Sequence, residues 1–85
     1  IKEFRDSKSE AVLEKIAQAY NTKGLILEEL SKPQNAIKVY DILIKKFRGS
    51  KSEYILEQVA QAYMNKGIIL EGLDKFQKAI DVFDV

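Results

Sequence analysis

The sequence predicts an all-α fold, an α-solenoid of antiparallel helix pairs arranged as two repeats. Three observations carry that prediction: an internal repeat running through the chain, helix-start signals at matching places in both copies, and apolar residues at helical spacing. Of 42 pairs aligned at an offset of 43, 26 are identical, and residues 4–41 run onto residues 47–84 without a gap. Self-similarity with a period of about 20–50 residues marks an array in which no unit can bury its apolar face alone.

Each copy is punctuated as two helices. Ser7-Lys8-Ser9-Glu10 and Ser50-Lys51-Ser52-Glu53 fit a capping box with Ser at N-cap and Glu at N3, so helix A is expected to open at Ser7 and at Ser50. On a helical wheel Leu13, Ile16, Ala17, Tyr20, Gly24 and Leu27 lie within roughly 60° of Tyr20, one apolar stripe that reads as the core face. Gly24 and Gly67 interrupt that helix, at about 1 kcal/mol each relative to alanine. Their recurrence asks for a compensating contact, and the expectation is that they face Ala36 and Ala79 of helix B, small against small. Ser31-Lys32-Pro33-Gln34 and Asp74-Lys75-Phe76-Gln77 are read as the second cap, with Ser31 and Asp74 as oxygen acceptors. Pro33 falls in the first turn, where its missing N–H is harmless. Helix B is apolar around more than half its circumference, through Ala36, Ile37, Val39, Tyr40, Ile42, Leu43, Ile44 and Phe47, as a helix with neighbours on both sides should be.

The repeat divides the chain. Residues 1–6 match the last turn of helix B and read as the end of a preceding repeat, residues 7–49 as repeat 1, and residues 50–85 as repeat 2, truncated in helix B. The expectation is an excerpt of a longer array, with a deliberate pair of repeats with frayed ends as the alternative.

Composition excludes several function classes. Fourteen Lys and Arg against thirteen Asp and Glu are interleaved, with a net charge of +1, which is neither a nucleic-acid footprint nor an acidic tail. With no Cys and no His there is no disulfide, no thiol nucleophile and none of the usual zinc ligand sets, and no cofactor is expected. Glu28 with Glu29, or Glu10 with Glu14, reads as solvated and capping charge and not as an acid/base pair, so an enzyme is not expected. The aromatics fall on core positions, which argues against base stacking by helical repeats. No apolar run approaches the roughly 20 residues that span a bilayer, the first residues lack the apolar centre of a secretory signal, and a cytoplasmic location is expected.

Tyr20, Gly24, Leu27, Ala36 and Tyr40, and again Tyr63, Gly67, Leu70, Ala79 and Phe83, form a series of large aromatic, small, large, small and aromatic residues. This series resembles the tetratricopeptide repeat (TPR), in a lengthened class whose unit is 43 residues instead of about 34. Lys23 and Lys66 replace the leucine usual before the glycine, Pro33 replaces an aromatic in copy one, and no proline closes helix B. The extra residues lengthen helix A at its start. The resemblance implies a right-handed superhelix whose helix A surfaces line a concave groove for protein or peptide partners.

On the wheel the face opposite the core stripe carries Glu14, Gln18, Asn21, Thr22, Leu25 and Glu29, matched by Glu57, Gln61, Met64, Asn65, Ile68 and Gly72. Gln18, Asn21, Thr22, Leu25, Gln61, Met64, Asn65 and Ile68 are the candidate peptide-binding residues. Leu25 and Ile68 are either a floor for a ligand side chain or contacts to the next helix A, and the four amides can clamp a peptide backbone. The positions that grip a C-terminal carboxylate in some TPR proteins hold Asn21, Leu25, Gln61 and Asn65, which form no positive cradle. Lys23 and Lys66 are expected to run their stems along the inter-helix groove. The leading function is a protein-interaction scaffold. The rival is a structural module that stacks on neighbouring repeats, with head-to-tail self-association, and neither nucleic acid nor membrane is an expected partner.

Overall fold

The structure is a computed structural model that describes the backbone of residues 2–84 and the side chains of residues 10–84. Its described residues form four helices: α1 (Lys2–Glu29), α2 (Pro33–Phe47), α3 (Glu53–Gly72) and α4 (Phe76–Phe83). Helices α1 and α2 are the A and B helices of copy one, and α3 and α4 those of copy two. Each pair packs together, α2 packs on α3, and α1 packs on α3, whereas α2 and α4 do not meet among the described residues. The repeats are therefore joined through α2 and through the two A helices.

Burial follows the predicted stripes. Ala17, Ala36, Tyr40, Leu43 and Ile55 lie at the centre of a continuous core that crosses from one repeat into the other, with Leu13, Ile16, Tyr20, Leu27 and Ile37 packed at its margin. Tyr40, Leu43 and Ile55 are the largest fully buried side chains, and all three sit where α2 is wedged between the A helices. Neither repeat could cover these residues alone.

The helix ends depart from the sequence expectation in a consistent way. Helix α1 does not open at Ser7 but runs from Lys2, so the first capping box lies inside a helix. In copy two the cap is Ser52 and not Ser50: its Oγ accepts from the Ile55 N–H at 3.2 Å, and Ser50 Oγ accepts from the Ser52 N–H at 3.0 Å. Ser31 and Asp74 do not cap helix B at all. Both are left-handed, with φ of 59° and 61°. Ser31 N–H bonds Glu28 O while Lys32 N–H bonds Leu27 O, and Asp74 and Lys75 repeat this with Glu71 and Leu70. That paired closure is the Schellman motif, so these residues stop helix A. Helix B then starts from Lys32 and Lys75 without a side-chain cap, with Pro33 in its first turn.

Gly24 and Gly67 are on the core face, but their partner is not alanine. A Cβ on Gly24 would stand 2.5 Å from Tyr40 Cζ and 2.9 Å from its hydroxyl oxygen; one on Gly67 would stand 2.9 Å from Phe83 Cδ1 and closer still to Cε1 and Cζ. The glycine admits the ring of the aromatic one turn beyond Ala36 or Ala79. Small opposes flat, not small.

Candidate functional site

The two copies allow each helix A position to be compared with and without a neighbouring repeat on a given side. Positions that stacking consumes change their exposure between copies. Ala62 is fully buried against copy one while its counterpart Ala19 is exposed, and Ile69 is 7% exposed where Ile26 is 50%. Other positions stay open in both. Leu25 and Ile68 are 48% and 52% exposed, Gln18 and Gln61 are exposed, and so are Ala11 and Tyr54. These three positions recur every seventh residue, which keeps them on nearly one line along a helix.

That line follows the α1–α3 seam, which carries a shallow cleft toward each end. One, of about 410 Å³, lies between Ala11, Gln18 and Tyr54, and its wall includes Glu14. Ser52 Oγ donates to Glu14 Oε2 at 3.0 Å, so the same hydroxyl that caps α3 fixes it to α1. The other cleft, of about 460 Å³, lies among Glu28, Pro33, Ile68 and Leu73. Glu28 is held there by the Tyr40 hydroxyl, which donates to its Oε2 at 2.6 Å. Burial, and after it the adjoining Glu28 carboxylate, push the Tyr40 phenol above its ordinary pKa.

The structure keeps six of the eight candidate residues on open surface and withdraws two. Asn21 is 5% exposed and Asn65 8%. Asn21 Nδ2 donates to the Gln58 carbonyl at 2.9 Å and to Gln58 Oε1 at 2.7 Å, which makes it a tie between consecutive A helices. Asn65 Oδ1 accepts from Gln61 Nε2 at 2.9 Å beneath α2. A one-helix wheel places both on the polar face because it does not contain the neighbour that covers them. Lys66 does more than lay its stem in a groove, since its Nζ pairs with Asp41 Oδ1 of α2 at 2.6 Å. Tyr54, 36% exposed, stands on the same line, and its place seven residues before Gln61 is the sequence signal for it.

A family model described as tetratricopeptide repeat matches residues 17–44 and again residues 60–84. The matches begin at Ala17 and Ala60, the same position of the two copies. The chain belongs to the tetratricopeptide repeat family. TPR repeats generally mediate protein–protein interactions or scaffolding, and the family is a non-catalytic one. No curated protein and no solved structure gives a significant match. Among the described residues no TPR helix is long and apolar enough to cross a membrane.

Proposed function

We propose that this TPR pair binds an extended protein or peptide segment laid across α1 and α3 on the helix A face. The observation that supports it most is the equal exposure of Leu25 and Ile68, 48% and 52%. Leu25 has a repeat stacked after it, Ile68 has one stacked before it, and neither neighbour covers this position. An aliphatic side chain left open from both sides is more useful to a ligand than to the array. The A helices touch while α2 and α4 do not, which favours the helix A side as the inner side of the curve.

A segment on this face would set apolar side chains over Leu25, Ile68 and Met64. Gln18 and Gln61 would meet its backbone, and Tyr54 would close one end. The test is selection of peptides from a random displayed library on the 85-residue chain, followed by amide shift mapping of the selected peptides. Shifts concentrated at Gln18, Leu25, Gln61 and Ile68, and at least tenfold weaker binding by Leu25→Glu/Ile68→Glu with unchanged helix content, are expected. Binding unaffected by that double substitution, or mapped to helix B, would overturn the proposal.

A further inference from the structure

The face of α1 that stays uncovered within this chain is the counterpart of the face of α3 that α2 covers. At the internal seam α2 lays Tyr40, fully buried, against α3, and Asp41 pairs with Lys66. On α3, Lys66 pairs with α2 and Asn65 reaches Tyr40, and Ala62 and Ile69 are buried on the same helix face. Their counterparts on α1 are Lys23, Thr22, Ala19 and Ile26, and these line an open cleft of about 520 Å³. At the other end of the molecule the counterparts of Ile37, Tyr40 and Asp41 are Ile80, Phe83 and Asp84. Ile80 and Phe83 are 51% and 45% exposed, and Asp84 is exposed.

We infer that this cleft receives α4 of a second copy of the same chain, in the register that α2 takes on α3. In that register Phe83 takes the place of Tyr40, Ile80 that of Ile37, and Asp84 meets Lys23 as Asp41 meets Lys66. Charge and shape are both supplied, because the aspartate, the lysine and Ile26 are the same residues at both levels of the stack. Within residues 1–85 the contact is smaller than the internal one: α4 has eight residues where α2 has fifteen, and Leu43, Ile44 and Phe47 have no counterpart among them. Joining one end to the opposite end is heterologous and does not close, so chains add in a line and do not stop at a dimer. Nothing here depends on a ligand occupying the helix A face.

Sedimentation equilibrium of the 85-residue chain up to about 1 mM tests it, a range that reaches weak contacts. The expected result is a weight-average mass that climbs with concentration past that of a dimer. Asp84→Lys and Lys23→Asp, both on exposed positions, should each weaken association by about fivefold or more through like-charge contact at the joint. Mixing the two variants should restore it, since every joint in an alternating line then pairs opposite charges. Ile26→Glu should abolish it with helix content intact. A chain that stays monomeric throughout, an association that stops at a dimer, single variants that associate like the parent, or a mixture that stays dissociated would each overturn the inference.

Discussion

Alanine at Gly24 and at Gly67 is the same substitution in two equivalent helices, yet the structure predicts different outcomes. A Cβ at Gly24 would lie 2.5 Å from Tyr40 Cζ. Contacting carbons rest about 3.5–4.0 Å apart, so the ring must retreat by about 1 Å. It has little room: Tyr40 is fully buried and its hydroxyl is tied to Glu28 at 2.6 Å. Overpacking of this kind costs about 1–3 kcal/mol, and a disturbed hydrogen bond to a carboxylate adds about 1 kcal/mol when that carboxylate is partly solvated. The helix-propensity gain of about 1 kcal/mol offsets part of this. Gly24→Ala should therefore destabilise by about 1–3 kcal/mol, or roughly 5–20 °C in the thermal midpoint. At Gly67 the obstructing ring is Phe83, which is 45% exposed, has no hydroxyl and can swing outward. Gly67→Ala should stay within about 1 kcal/mol of neutral, on the same propensity offset. Urea titrations of both variants followed by far-ultraviolet circular dichroism measure the difference. A stabilised Gly24→Ala, or two equal losses, would refute the account of the glycine as a seat for a fixed ring.

Three further outcomes follow from the helix ends and from Tyr40. Ser31→Gly relieves a non-glycine residue at φ 59° and should raise stability by about 0.5–1 kcal/mol, more than Asp74→Gly, because aspartate tolerates the left-handed region better than serine; paired urea titrations rank the two. Ser52→Ala removes both the acceptor for the Ile55 N–H and the donor to Glu14, and should lose about 1–2 kcal/mol with faster hydrogen exchange at the Ile55 amide. The folded state favours the neutral Tyr40 phenol, so its contribution is fully present below about pH 10 and declines as pH rises above that. Stability measured from pH 9 to 11 should fall less steeply for Tyr40→Phe than for the parent, and equal slopes would count against a buried phenol held by Glu28.

The period and the apolar stripes were legible in the sequence because they are written twice in the same residue types, and the core that they predict, from Ala17 through Tyr40 to Ile55, is the core observed. The caps were not, and the reason is chemical. Ser31 and Asp74 carry the oxygen of an N-cap, but a residue that opens one helix and a residue that stops the one before it can be of the same type, and only the sign of φ separates them. The glycine partner escaped for a geometric reason: a wheel gives direction but not reach, and the aromatic one turn past Ala36 extends back to cover Gly24. Asn21 and Asn65 are not equivalent positions, since Asn21 aligns with Met64 and Asn65 with Thr22, so each is buried by a different neighbour.

The lengthened unit bears on the same question. Helix α3 begins at Glu53, seven residues before the second family match at residue 60. Those two added turns are not a loop and not free surface. Ile55 and Val59 are 2% and 6% exposed, and Ser52 at their head bonds Glu14 of the preceding A helix. The longer period therefore widens the seam between consecutive A helices, and in an array stabilised by its interfaces a wider seam strengthens each nearest-neighbour coupling. It also enlarges what an uncovered end exposes: Leu13, packed at the core margin in copy one, corresponds to Leu56, which is 40% exposed in copy two. Added turns that bind neighbours more firmly thus also carry more apolar surface, Leu56 included, that only a further neighbour on that face would bury.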